Sequence, residues 1–300
     1  MAASGSRVQF YYAVETAPGV IAGTAPVFKP IRFNTTSLTR NVAQVGSNEI
    51  NPKRQRAKDA QGTYSTQGEI VSELSAGTFD ELLAILLQSS WTANTLKVGA
   101  TEQTIAILKR HADTGEDLLY SGARLNSLAV GAAIDSRVLL TFGVIGTEAE
   151  PFVVPLDAVF EDATDTDPMV TSVGQLNEGG AAIAYATAYD FTLSNGMEAI
   201  FALHQRAAYD VQNGVFTATG TLSAYRENGG LYAKFLNETD STLAATFTDG
   251  TSSYTFNFPD IGYVQADDAV PGPNAIVNQF TWSAGYDAAA DTTVTITRSV

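Results

Sequence analysis

Few side chains in this 300-residue chain are spaced for chemistry. There are two histidines. His111 follows Lys109-Arg110 in a polar turn, and His204 follows the apolar run Ala199–Leu203. No HExxH spacing, serine elbow or Walker loop accompanies them. Acid–base catalysis needs titratable groups held beside a reacting atom. The 32 Asp+Glu residues include no pair that spacing singles out, so no catalytic residue is assigned. Asp162, Asp165 and Asp167 offer the hard oxygens that calcium takes, but the run lacks the glycine and bidentate glutamate of an EF-hand loop. It reads as a solvated linker before Pro168, and no metal site is assigned. The absence of cysteine excludes disulfides, thiolate nucleophiles and Cys-based metal centres. Gly272-Pro273 is a turn signal rather than a phosphate cradle, and no cofactor is expected.

Charge is more informative. The net charge is −15, whereas gripping DNA requires a basic surface that neutralises phosphates. Nucleic acid near this chain would slide or be repelled. Four of the 17 cations, Lys53, Arg54, Arg56 and Lys58, stand in the polar stretch 46–62 with Asn48, Glu49 and Asp59. Three readings compete: a nucleic-acid contact, a solvated loop, or an electrostatic contact with an acidic neighbour. The third is favoured, because another copy of this chain is itself such a neighbour.

Strand-like segments dominate: Val8–Val14, Gln103–Lys109, Arg137–Ile145, Ala186–Leu193, Gly214–Leu222, Ser253–Phe258, Asn278–Gly285 and Thr292–Arg298. Val294 and Ile296 alternate with Thr293, Thr295 and Thr297, which gives one apolar and one hydroxylic face. Helical spacing occurs twice. From Thr78 to about Gln88, Phe79, Leu82, Leu83, Leu86 and Leu87 form a stripe, with Thr78 as expected N-cap and Asp80 and Glu81 in the first turn. From about Gly229 to Leu236, Leu231, Phe235 and Leu236 form a weaker one. A template, Gly-x-aromatic-hydroxyl-x-x-Gly-x-aliphatic, occurs at 62–70 and again 152 residues on at 214–222. The same offset maps Phe79 to Leu231 and Leu83 to Phe235, so it spans a strand, a turn and a helix. That period is too long for a solenoid of roughly 20–50 residues. Two tandem domains, 1–165 and 166–300, are expected, with Glu161–Asp167 as exposed linker. No apolar run approaches the roughly 20 residues of a membrane span. The first residues lack the layout of a signal peptide, so synthesis in the cytoplasm is expected.

The chain resembles the tail tube (major tail) proteins of long-tailed bacteriophages. The resemblance runs through Arg40 to Ile50, Gly62–Leu74, Phe79-Asp80-Glu81-Leu82-Leu83, Tyr120–Leu128, Thr141-Phe142-Gly143, Phe258-Pro259, Val270-Pro271-Gly272 and Val294–Arg298. It implies a mainly β chain of two β-sandwich or barrel domains, each with one flanking helix, in a fold similar to the type VI secretion tube protein. It also implies rings that stack into a hollow tube through which DNA passes without specific binding. Two domains per chain then imply homotrimeric rings of pseudo-sixfold symmetry, with a homohexamer carrying one domain outside as the alternative. Tape measure, tail terminator and tip proteins are the further partners implied, in the virion tail. The competing reading is a two-domain β-sandwich binding or decoration module of a phage particle.

Overall fold

The structure is a computed structural model and describes residues 4–23, 25–50, 52, 55–227, 229–270 and 272–299. The first half holds β1 (Val8–Ala17), β2 (Val20–Ile21), β3 (Val27–Pro30), β4 (Thr35–Thr36), β5 (Thr39–Val45), β6 (Ala60–Glu73), α1 (Asp80–Leu86), β7 (Thr95–Lys97), β8 (Ile105–His111), β9 (Glu116–Ala133), β10 (Leu139–Gly146), β11 (Glu148–Pro151) and β12 (Val159–Phe160). The second holds β13 (Gly174–Glu178), β14 (Ala181–Ala182), β15 (Ala186–Ser194), β16 (Glu198–Ile200), β17 (Asp210–Gln212), β18 (Thr217–Tyr225), α2 (Gly230–Leu236), β19 (Ser241–Thr248), β20 (Ser253–Ala266), β21 (Val277–Ala284) and β22 (Thr295–Ser299).

Period-two patterning builds these strands. In β18, Ala218, Gly220, Leu222 and Ala224 are buried while Thr217, Thr219, Thr221 and Ser223 point the other way. In β20, Tyr254, Phe256 and Phe258 are fully buried. The result is a mainly β, sandwich-class fold with no closed barrel among the described residues. Inner faces meet through aromatic side chains: Phe191 of β15 lies 5.1 Å from Phe256 and 5.2 Å from Phe258 of β20.

The strand pairing repeats. β6 lies between β5 and β10, β10 pairs β9, β9 pairs β8, and β8 pairs β1. Correspondingly, β18 lies between β15 and β21, β21 pairs β20, β20 pairs β19, and β19 pairs β13. The irregularities repeat as well. An extra residue interrupts β9 opposite β10 at Asn126, and β20 opposite β21 at Val264. A second shift separates Ile105 from Ile107 in β8, and Ser241 from Leu243 in β19. Bulges bend a strand and change its partners. Here each lets one long strand serve two layers: β9 pairs β8 and β11 through its first half and β10 through its second.

Both template copies carry a glycine at a close approach. A Cβ on Gly68 would stand 2.5 Å from the Leu38 Cα, and one on Gly220 would stand 2.3 Å from the Asp190 carbonyl oxygen. The paired strands leave no room there for a side chain.

α1 buries Leu82, Leu83, Ile85 and Leu86, whereas α2 buries only Leu231. Each fully buried side chain of this kind contributes about 1.5–3 kcal/mol. Thr78 is not the N-cap. Phe79 holds that position without a side-chain cap, and the Thr78 hydroxyl instead meets Ser75 Oγ at 2.7 Å and Thr164 Oγ1 at 2.5 Å. Thr164 belongs to the expected linker, which is exposed but tethered: Arg32 Nη1 donates to the Thr166 carbonyl at 2.7 Å. α1 is also tied to the second half. Its Asp80 carboxylate accepts from Tyr254 Oη at 2.5 Å and from Arg298, and Arg298 lies 4.3 Å over the Trp91 ring. Beside this cluster β22 pairs β7.

Gly220→Ala is expected to destabilise by about 1–3 kcal/mol through overpacking. Gly131→Ala, where a Cβ meets nothing within 4 Å, is expected to change stability by less than about 0.5 kcal/mol. Urea unfolding midpoints check the contrast.

Candidate functional site: an open sheet face and its edges

A continuous antiparallel sheet runs β5–β6–β10–β9–β15–β18–β21–β20 through both halves. Register places residues in rows across it. One row is Val71, Thr141, Ala129, Thr192, Thr219 and Ser283. The next is Glu73, Leu139, Gly131, Asp190, Thr221, Thr281 and Gln265. All these positions face away from the core side chains Leu140, Val130, Phe191, Leu222 and Trp282, because neighbours along a strand alternate. The open face thus carries hydroxyls and small residues together with Val71, Leu139 and Gln265, has acids at Glu69, Glu73 and Asp190, and these rows contain no lysine or arginine. Thr221 Oγ1 donates to the Asp190 carboxylate at 2.5 Å.

The two halves join in this sheet at the β9–β15 pairing, from Ala133 opposite Ala188 to Ser127 opposite Ser194. Two amides, a buried Asn195 and a half-buried Asn126, pin its end. Asn195 Nδ2 donates to the Leu86 carbonyl at 2.8 Å and the Leu125 carbonyl at 3.1 Å. The Met197 N–H donates to Asn126 Oδ1 at 2.7 Å. Past this point the face is covered: Ile145 packs under Met197 and Val211 of the β16–β17 hairpin. Nearby, Arg124 is held by Glu102 at 2.6 Å and Asp210 at 3.4 Å. The sheet ends in two edges. β5 pairs only β6, and residues 262–266 of β20 pair only β21, among the described residues.

Of the expected basic cluster, Arg56 and Lys58 lie in the segment that joins β5 to β6. Lys53 and Arg54 fall outside the described residues. Arg56 is exposed and pairs with Asp59 at 3.1 Å, and Lys58 is exposed. The base of the β5–β6 hairpin is braced by the second half: Tyr64 N–H donates to the Arg206 carbonyl at 2.7 Å, and Arg206 Nη2 donates to Gln61 at 3.0 Å. Of the core residues read from the helical stripes, Phe79, Leu82, Leu83, Leu86 and Leu231 are buried, and Phe235 is half-buried against the same core. Leu236, expected on the α2 stripe, is 62% exposed. His204 is exposed, His111 is half-buried at the end of β8, and Asp162, Asp165 and Asp167 are exposed. No acidic or histidine cluster suited to a metal ion occurs among the described residues. No helix there is long and apolar enough to cross a membrane.

The open face itself escaped the reading of single residues. Its signal was present in the alternating hydroxyls Thr217, Thr219, Thr221 and Ser223. These features define a β-sandwich protein whose distinctive surface is a broad sheet face rather than a cleft. Residues 5–284 match the family model for phage tail tube protein, and the chain belongs to that family. It is accordingly a structural protein of the virion tail. A comparison with curated protein sequences finds no match.

Leu83→Ala is expected to cost about 2–5 kcal/mol, as for a fully buried leucine. Leu236→Ala is expected to cost less than about 0.5 kcal/mol. Chemical denaturation of the two variants separates them.

Proposed function

We propose that three chains close into a ring, that rings stack into a hollow tail tube, and that the open sheet face lines the channel through which DNA passes. The observation that carries this reading is the composition of that face. Two strand-equivalent halves contribute to one sheet whose open rows hold mostly hydroxyls, small residues and acids, with Val71, Leu139 and Gln265 among them and no cation. Phosphate binding depends on cations, so such a wall lets a polyanion slide. Taken as two structural units, 1–165 and 166–300, each chain supplies two equivalent wall segments. Three chains then make a ring that is three-fold in fact and six-fold in appearance. Six chains with one unit outside is less favoured, because both units contribute strands to the same sheet. A heterologous interface that closes on itself makes such a ring.

The chain performs no catalysis in this reading. It is made in the host cytoplasm and built into the virion tail. The family implies tape measure, terminator and tip proteins as its other partners. The segment joining β5 to β6, whose sequence includes Lys53, Arg54, Arg56 and Lys58, serves as an arm that meets the acidic surface of an adjacent chain or ring.

Negative-stain microscopy of concentrated protein tests the reading: stacked rings with a central channel are expected, and discrete monomers would favour a decoration module instead. Deleting residues 53–58 is expected to leave a folded protein that no longer forms tubes, whereas normal tubes would remove the arm from the account. The wall has its own test. Tubes of the Thr192→Lys/Thr219→Lys double variant are expected to retain DNA on the order of tenfold more strongly than wild type at low salt, with retention lost as salt rises. Thr192→Gln/Thr219→Gln tubes should behave as wild type in the same filter-binding assay.

A further inference from the structure

The edges of β20 and β5 repeat the two strands that meet in the β9–β15 pairing inside the chain. β20 repeats β9: their extra residues, Asn126 and Val264, stand 138 residues apart, and each faces the equivalent partner strand. The Asp267 N–H donates to the Gln279 carbonyl at 2.9 Å, which continues the repeat where Ala129 opposes Thr141. β5 repeats β15: Thr39 opposes Gln67 as Thr192 opposes Thr219, an offset of 153 residues in the first strand. What β9 offers β15, the edge of β20 offers a β5 that its own chain cannot supply, since that β5 pairs β6 at the far end of the sheet.

We infer that β20 of one chain pairs antiparallel with β5 of a second copy in the register of the internal seam. Val264 then opposes Val42 of the second copy, Gln265 opposes its Asn41, Ala266 opposes its Arg40, and Asp267 opposes its Thr39. This deepens the ring proposed above and rests on it.

The side chains fit this register. Within the chain the bulge position is an amide pair, where the Asn195 N–H donates to the Asn126 carbonyl at 2.8 Å. At the outer edge its counterparts are two valines, and Val264 is 60% exposed in the single chain. Pairing covers it with another apolar side chain. Gln265 and Asn41 are both amides and lie on the open face. Arg40 stacks 3.4 Å over Tyr64 on the core side of β5, and in this register it stands diagonal to Asp268, which Arg226 of its own chain already pairs, on the same side of the sheet. Diagonal neighbours of opposite charge attract across paired strands. A slip of one residue would turn every side chain of β5 to the wrong face, which sets Arg40 on the channel wall and Asn41 against the core.

The absence of cysteine makes the register measurable by cross-linking. Gln265 and Asn41 correspond to Ser127 and Ser194, which oppose each other in the seam. In that pair class the Cα atoms stand about 4.5 Å apart, within the span of a disulfide. Oxidised assemblies of the Asn41→Cys/Gln265→Cys variant are expected to link chain to chain, in a non-reducing ladder that stops at three chains. Ser127→Cys/Ser194→Cys should close within one chain without linking chains, and it controls for oxidation. Asn41→Cys/Val264→Cys, which represents the slipped register, is expected to link on the order of tenfold more slowly. Equal or faster linking by the slipped pair overturns the register. So does the absence of a 41–265 bond in particles that microscopy shows to be rings. Absence of rings from the wild-type protein overturns the ring itself, and a ladder stopping at six chains overturns the count of three.

Discussion

The structure depends on one strand that is paired on both sides in two different settings, at residues 118–120 and again at 127–131. β9 begins between β8 and β11 and ends between β10 and β15. The corner between these two settings is the bulge at Asn126. A bulge in a buried strand leaves backbone groups that need partners, and an unmade hydrogen bond there costs about 1–3 kcal/mol. Asn126 and Asn195 supply them: one accepts from the Met197 N–H, and the other reaches the last turn of α1 and the Leu125 carbonyl. The helix end, the corner of the sandwich and the junction of the two halves are therefore fixed by one pair of amides. The continuous open face follows from that junction, because β15 can extend the sheet only where β9 presents a free edge.

Around this corner the halves keep the same pairing but change the chemistry. Tyr12 opposite Ile107 and Glu178 opposite Leu243 occupy matching places on β1 and β13. In the first half the Tyr12 hydroxyl donates to Glu81 of α1 at 2.7 Å. In the second, Glu178 accepts from Lys234 of α2 at 2.7 Å and from Ser241 at 2.6 Å. Donor and acceptor have changed places between helix and strand, yet both contacts hold a short helix against the sheet. α1 needs this less, since it also buries a full apolar stripe. α2, with Leu236 turned to solvent, relies more on the buried carboxylate. Backbone pairing thus preserves the architecture where side chains have diverged.

The sequence was legible where patterning is local. Alternation located most of the strands, and the apolar stripe at Leu82, Leu83 and Leu86 located α1 to within a turn. Gly68 and Gly220, matched by the 152-residue repeat, both stand where two backbones approach too closely for a side chain, which the structure alone reveals. Three features were not legible. β9 runs through Ser121-Gly122-Ala123-Arg124-Leu125-Asn126-Ser127, which breaks the alternation because both its layers and its bulge interrupt the period of two. Thr78 has the composition of an N-cap but spends its hydroxyl on a residue 86 positions away, which local spacing cannot reveal. The open face is a property of register across eight strands, and register is written in long-range pairing rather than in any one segment.

The central claim is that one sheet, continuous within the chain, becomes continuous around a ring with its hydroxylic face inward. A cryo-electron microscopy reconstruction of the assembled protein at side-chain resolution tests it most directly. The account predicts three chains per ring, with Thr192, Thr219 and Ser283 on the channel wall and Val264 against Val42 of the neighbouring chain. A channel lined by other strands, or a ring in which the edges of β5 and β20 remain unpaired, would contradict it.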